Sequence, residues 1–446
     1  MPRVLIDTYG CTLNHADSDI MAGLLSKEGY YVESAGHSAK AEHDYVIVNT
    51  CTVKNPTETK ILQRLRDLSK TNSKIIVTGC MAGANKDRVL MAAPGASIVT
   101  TSNIHRITEA LGELKSGKQV MYDKYNRVDR LAYYPDCKSV IARIPVSEGC
   151  LSSCSFCETK FARGPLGSFS EKLILKAVKM SVERGAKEIE LTSQDMGAYG
   201  MDKGTNIAEL LAQVSDIEGD FKVRVGMLNP EHLGKYLDEL VRAYSSDKVY
   251  RFIHLPLQSG SNSVLRHMKR NYTVEQFNDY AKELRSKIEE VSIETDMIVG
   301  YPTEADADFA ESLNFIRSAR PTFTNVSRFG ARPHAGASRL KQIPNTLIKE
   351  RSGEMSRVAR MVQKEDFSGL IGRDIKVLIT EENDRSFVGR DGSYRLVALD
   401  KRDYQGRLGE VVTAQIVSNS SVCLFGQVRK FYGLWDKNSQ SSFITK

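Results

Sequence analysis

The sequence has no apolar run long enough to span a membrane, no low-complexity tract and no short-period repeat. A membrane-spanning bundle and a repeat array are therefore excluded as readings. The first residues, "MPRVLIDTYG", lack the apolar segment of a secretory signal and enter strand-like sequence at once. A soluble cytoplasmic protein without a membrane partner is the expectation. A strong charge of either sign is also missing: 62 Lys and Arg against 55 Asp and Glu leave a net +7 over 446 residues. So mild a bias permits a nucleic-acid partner without demanding one. Cysteine is sparse, with eight residues, and a cytosolic setting argues against a disulfide framework. Metal or cluster ligation, or plain burial, are the roles left.

What is present is an ordinary globular composition, 41% hydrophobic and 26% charged, in a chain long enough for two or three domains. Residues 1–125 alternate strand and helix patterns. "RVLIDTYG", "DYVIVNT", "KIIVTG" and "SIVTTS" are each followed by a helical stretch. Buried β-branched runs in that order imply a parallel α/β sheet with right-handed crossovers. The charged stretch "MYDKYNRVDRLAYYPDC" reads as a linker. Residues 136–368 alternate again, with six strand candidates: "SVIARIPVS", "EIELTSQD", "KVRVGML", "VYRFIHLPL", "SIETDMIVG" and "FTNVSRFG". Six βα units suit a partial (β/α)6 barrel or a doubly wound sheet. A polar helix near "IKERSGEMSRVARMVQKEDFSGLIG" leads out of this region. Residues 369–433 hold five short strand candidates with turn residues between them, as expected of a small antiparallel β-barrel.

The sharpest motif is "CLSSCSFC", which spaces Cys150, Cys154 and Cys157 as C-x3-C-x2-C just after the first strand of the central region. Three thiolates in one short loop can wrap one face of an iron–sulfur cluster and leave one iron open to an external ligand. Structural zinc is the alternative, but it wants four ligands, and no His or Cys lies close downstream.

This motif, with an aromatic before its last cysteine, resembles the signature of the radical S-adenosylmethionine (radical SAM) enzymes. The resemblance implies a partial (β/α)6 barrel in which the open iron chelates S-adenosylmethionine, whose reductive cleavage gives a 5′-deoxyadenosyl radical. A second set of cysteines then takes on meaning. Cys11, Cys51 and Cys80 each end a strand-like run of the first region. In a parallel sheet the C-terminal strand ends share one edge, so these three should converge and suit a second cluster. Three buried structural cysteines are the plainer reading.

Three cysteines in an N-terminal α/β domain, a radical SAM core and a C-terminal β-barrel resemble the methylthiotransferase family over almost the whole chain. The motifs are "TYGCTLNHADSD", "NTCTV", "TGC", "EGCLSSCSFC", "LTSQDMGAYG", "HLPLQSGSNSVLRHMKRNYT" and "TDMIVGYPTEADADF". "RFGARPHAGA" departs from the more usual "YSPRPGTPA". "CETKFARGPLGSF" and "RVGMLNP" are similar to the archaeal and eukaryotic branch. That branch inserts a methylthio group at C2 of N6-threonylcarbamoyladenosine 37 of tRNA. The same chemistry on isopentenyladenosine 37 or on a ribosomal protein aspartate is the alternative. An RNA-binding protein with structural metal is the non-enzyme reading.

The resemblance implies two 4Fe-4S clusters: one on Cys150, Cys154 and Cys157, and an auxiliary one on Cys11, Cys51 and Cys80 that carries the sulfur to be inserted. It implies tRNA as partner, and an electron donor and a sulfur donor. Ser193, Gln194, Gln258, Ser259 and Asp296 lie at the C-terminal rim of the barrel strands and are candidates for binding S-adenosylmethionine. Arg163 could pair with a carboxylate of cofactor or substrate. The third region resembles a TRAM domain, an RNA-binding barrel. There Arg385, Arg390, Arg395, Arg402, Arg429 and Lys430 could meet phosphates, and Tyr394, Tyr404, Phe431 and Tyr432 could stack on bases. Cys137, Cys423 and His254 read as structural.

Overall fold

The computed structural model describes residues 1–35, 43–53, 55–135 and 138–428. Cys137, Arg429, Lys430, Phe431 and Tyr432 lie outside the described residues.

Six strands form the first sheet: β1 (Arg3–Thr8), β2 (Tyr31–Ala35), β3 (Tyr45–Thr50), β4 (Lys74–Gly79), β5 (Ser97–Val99) and β6 (Met121–Tyr122). Their order is β2-β1-β3-β4-β5-β6, and every pairing is parallel. Residues of β3 and β4 are buried almost throughout, as a sheet covered on both faces requires. Two strands were not expected. "YVESA" is too polar and short to stand out, and Met121–Tyr122 lies inside the stretch read as a linker. That stretch also contains Arg130, fully buried, so it is part of the packed structure and not a free linker.

The central region brings all six expected strands together: β7 (Ile141–Pro145), β10 (Glu188–Thr192), β11 (Lys222–Val225), β12 (Phe252–His254), β13 (Ser292–Val299) and β14 (Phe323–Arg328). A short antiparallel pair, β8 (Ser147–Glu148) and β9 (Gly167–Ser168), follows β7. Two parallel sheets, β7-β10-β11 and β12-β13-β14, are joined by a parallel bridge from Val223 to Val249. The six strands therefore run in chain order around an arc, which is the partial barrel. Its apolar shell is one continuous cluster reaching from Leu131 to Val362.

A 24-residue helix, Asn345–Ser368, packs along β14 and delivers Phe367 into the core of the last unit. There β15 (Asp374–Glu382), β16 (Ser386–Asp391), β17 (Leu396–Asp400), β18 (Val411–Asn419) and β19 (Leu424–Val428) close a barrel in the order β15-β16-β17-β19-β18. The expectation of an antiparallel barrel is corrected at one seam: β17 and β19 pair in parallel. Cys423 is buried beside this barrel, in keeping with a structural role. Among the described residues no helix is long and apolar enough to cross a membrane.

The barrel docks against the floor of the central region. Tyr394, in the turn between β16 and β17, packs its ring on Tyr250 and Phe252 and donates to Glu188 and Glu190. Arg390 stacks on Tyr394 and pairs with Glu381, while Arg395 pairs with Asp391 and Glu290. Only 18% and 11% of these two arginine side chains face solvent. The expectation that Arg390 and Arg395 meet phosphates and that Tyr394 stacks on a base is therefore corrected. Domain docking has used these side chains.

Candidate functional site

Cys11, Cys51 and Cys80 follow β1, β3 and β4, three neighbouring strands of one sheet. Cys11 caps the helix Thr12–Lys27, and Cys80 opens the helix Cys80–Ala84. The register pairs Thr8 with Asn49 and Thr50 with Gly79, so all three cysteines leave the sheet at one edge. Two glycines permit the approach. Gly79 has φ +85°, and a Cβ on it would lie 2.2 Å from the Thr50 carbonyl oxygen. Gly10 has φ +113°, and its Cβ would lie 2.9 Å from the Cβ of Cys51. No other residue type takes both positions without strain.

Asn14 ties the edge together. Its buried amide donates to the carbonyls of Tyr9 and Thr50, at 2.7 and 2.8 Å. Asn49 returns the bond by donating to the Asn14 carbonyl at 2.7 Å. Cys51 and Cys80 are buried and Cys11 is exposed. Burial pushes the Cys80 thiol up to about 12, with Cys51 and Cys11 close enough to add to the rise. Burial raises the Cys51 thiol too, against an N–H from Val53 to its sulfur at 3.4 Å. Cys11 and Cys51 line a cavity of about 730 Å³ together with Gly10, His15, Lys60 and Arg143.

Cys150, Cys154 and Cys157 occupy the loop after β8. Gln194 accepts the Gly149 N–H at 2.8 Å, and Ser155 is held by Tyr301 at 2.8 Å. Gln194 thus braces the cysteine loop. Burial, with the charge of Asp195, pushes the Cys150 thiol up to about 12. The Thr159 N–H donates to Cys157 at 3.4 Å, and the Arg270 guanidinium to Cys154 at 3.1 Å. Sequence reasoning missed Arg270, which lies 116 residues from Cys154.

Among the described residues no three His, Cys, Asp or Glu side chains are placed to hold one metal ion. The corner thiolates of a cubane stand farther apart than the ligands of one ion, so a cluster is a different question. The donor chemistry answers it. Each triad is all sulfur, and Cys51, Cys80, Cys154 and Cys157 each receive an N–H. Such donors favour thiolate, the form that binds metal, and the residues fit an iron–sulfur cluster at each triad.

Gln258, Asp296 and Cys157 line a second cavity of about 810 Å³, with Phe156, Arg328 and Lys349. Gln258 is left-handed at φ +79°, and its N–H donates to the Asp296 carbonyl at 2.8 Å. The Asp296 carboxylate meets His254 at 2.9 Å, so His254 is a partnered histidine as expected. Burial opposes its protonation, but the bond to Asp296 and the charge of Glu294 raise its pKa overall. Among the described residues Ser193 Oγ is buried without a hydrogen-bond partner, and Ser259 Oγ accepts the Ser261 N–H within its own turn.

Thr52 and Val53, which follow Cys51, line this same cavity. Thr52 donates to Glu158, and Asn85 donates to the same carboxylate oxygen at 3.1 Å. Arg163 is 1% exposed. Its guanidinium donates to Asn14 at 2.6 Å, pairs with Asp17 at 2.8 Å and Glu148 at 3.5 Å, and reaches Cys80 at 3.3 Å. The expectation that Arg163 binds a substrate carboxylate is corrected: the chain's own acids already hold it. Arg130 pairs with the same two acids, completing a buried quartet between the first sheet and the barrel.

Residues 3–101 match the family described as "Uncharacterized protein family UPF0004", and residues 144–316 match the radical SAM superfamily. A probable threonylcarbamoyladenosine tRNA methylthiotransferase of Archaeoglobus fulgidus is 40% identical over 433 residues, covering 96% of this chain and 98% of that protein. The human threonylcarbamoyladenosine tRNA methylthiotransferase is 33% identical over 92% of this chain and 71% of its own length. Among solved structures, the radical S-adenosylmethionine methyltransferase TsrM of Kitasatospora setae aligns with a TM-score of 0.56 at 14% identity, over 76% of this chain and 77% of TsrM. That likeness is one of fold. The chain belongs to the threonylcarbamoyladenosine tRNA methylthiotransferase family, within the radical SAM superfamily.

Proposed function

We propose that this chain inserts a methylthio group at C2 of N6-threonylcarbamoyladenosine 37 of tRNA, using S-adenosylmethionine and two 4Fe-4S clusters. The observation that carries the proposal is that Cys11 and Cys51 of one triad line one cavity, Cys157 of the other triad lines a second, and Val53 lines both. The C2–H of adenine is neither acidic nor nucleophilic, so acid–base groups alone do not replace it; the clusters and S-adenosylmethionine supply radical chemistry. Cys150, Cys154 and Cys157 would hold one cluster, and Cys11, Cys51 and Cys80 the other.

The remaining roles belong to side chains of this chain. Gln258 and Asp296 line the Cys157 cavity, Ser193 follows a neighbouring barrel strand, and we assign all three to S-adenosylmethionine. Gln194 and Ser259 act one step back, bracing the backbone that carries the site. Arg328 and Lys349 line the cavity and, among the described residues, make no ion pair with a carboxylate. Two such cations suit a substituent ending in a carboxylate, which threonylcarbamoyladenosine has and isopentenyladenosine lacks. The closed barrel of β15–β19 is assigned to RNA binding, with exposed Arg385 and Arg407 on its surface. A reductant and a sulfur donor are required from outside the chain. A cytoplasmic location goes with a tRNA substrate.

Mass spectrometry of tRNA nucleosides from a strain lacking the gene tests the proposal. Loss of the methylthio-threonylcarbamoyl nucleoside, restored by the wild-type chain, is the expected result. Persistence of that nucleoside, or loss of a methylthio-isopentenyl nucleoside instead, refutes the substrate assignment.

A further inference from the structure

We propose that Arg163 and Arg270 are positioning residues that set the reduction potentials of the two clusters, each through one N–H···S contact and one positive charge held against the sulfur. The inference rests on the two-cluster reading above. Each triad receives one arginine on one of its three sulfurs: Arg163 on Cys80 at 3.3 Å and Arg270 on Cys154 at 3.1 Å.

The partners of Arg270 make the case. Its other contacts are the Tyr272 hydroxyl at 2.8 Å, the Asn229 side-chain carbonyl at 2.8 Å and the Pro256 carbonyl at 3.5 Å. All are neutral, and among the described residues no carboxylate pairs with it. The guanidinium is partly buried, and a cation held partly away from water is favoured beside an anion. Among its contacts in the described residues, the Cys154 sulfur is the group that becomes anionic when it ligates metal.

Arg163 reaches a similar contact by another route. Its two terminal nitrogens are taken by Glu148, Asn14 and Asp17, and only Nε faces the Cys80 sulfur. With Arg130 it forms a quartet of two cations and two anions, balanced before the sulfur is counted. The quartet fixes the guanidinium and aims its spare N–H at the thiolate.

Reduction adds one negative charge to a cluster. A donor and a cation at its sulfurs stabilise that form more than the oxidised one and raise the potential. Arg270 has no carboxylate in contact among the described residues, only the more distant charge of Asp195, whereas Arg163 sits in a neutral group. Loss of Arg270 should therefore shift its cluster further than loss of Arg163 shifts the other.

The experiment is an anaerobic redox titration followed by electron paramagnetic resonance on the full-length, reconstituted chain. Backgrounds with Cys11, Cys51 and Cys80, or Cys150, Cys154 and Cys157, replaced by alanine isolate each cluster. In Arg270→Gln the radical SAM cluster should be harder to reduce by about tenfold in its one-electron equilibrium, about 59 mV more negative, and the auxiliary cluster should not move. Arg163→Gln combined with Asp17→Asn, which keeps the quartet neutral, should shift only the auxiliary cluster and by less. Unchanged potentials at wild-type iron content overturn the inference. So does loss of iron in both variants, which would make the arginines purely structural. A wild-type chain holding fewer than two clusters overturns the two-cluster reading with it, and the iron count shows that before any potential is measured.

Discussion

The Thr52 hydroxyl donates to the Glu158 carboxylate, and each residue stands one position past a cysteine of a different triad, Cys51 and Cys157. Both side chains are buried, at 1% and 2% exposure. One hydrogen bond thus couples the backbone that carries an auxiliary cysteine to the backbone that carries a radical SAM cysteine. Asn85 makes it a three-residue link.

Thr52→Val keeps the volume of the side chain and removes the donor. The Glu158 carboxylate would retain Asn85, so the fold should hold. The relative placement of the two sites should loosen, and methylthio product should fall by about 10- to 100-fold, the usual effect of removing an outer-shell partner of a metal site. Iron content and 5′-deoxyadenosine formation should stay near wild type. Parallel assays of product, iron and 5′-deoxyadenosine check this.

Gly79 is the least replaceable residue of the auxiliary edge. At φ +85° with the Thr50 carbonyl oxygen 2.2 Å from a would-be Cβ, Gly79→Ala must push β3 and β4 apart. The expected cost exceeds about 2 kcal/mol, with loss of the auxiliary iron before loss of the radical SAM iron. Thermal unfolding with iron analysis on the soluble fraction measures both effects.

Glu188 gives the chain a pH dependence at the docking seam. Burial, then the charge of Glu190, raises its pKa from 4.5 to about 7, against donations from Tyr394 and Tyr250. Between those two values the folded chain keeps a proton that the unfolded chain has released. Stability therefore falls as pH rises through the window, and the loss is complete above about 7. Glu188→Gln removes the buried charge; its carbonyl oxygen can accept from Tyr250 while its amide donates to the Tyr394 hydroxyl, which keeps its bond to Glu190. It should raise stability by about 2–3 kcal/mol at pH 8 and by little near pH 4.5. Unfolding midpoints of the two proteins at the two pH values test this.

The register of the auxiliary cysteines was legible in the sequence because β-branched runs mark strands and each run ends at a cysteine. Tyr31–Ala35 was not legible, since two of its five residues, Glu33 and Ser34, are polar and no apolar period survives. The buried arginines were the larger omission. Arg130 meets Asp17 from 113 residues away, and no local pattern announces such a pair. Arg390 and Arg395 misled for the same reason: a cation on a small barrel looks solvated until a neighbouring domain covers it. Arg163 stood out as a cation near the cysteine loop, but only the fold shows that Asp17 and Glu148 have already claimed it.

The central claim is that two separate triads each hold a cluster and serve one reaction. Iron and sulfide per chain in the Cys150/Cys154/Cys157→Ala variant, after anaerobic reconstitution, tests it most directly. About four irons per chain should remain, half of the wild-type content, with no 5′-deoxyadenosine formed. A variant that binds no iron, or binds zinc in its place, would contradict the account.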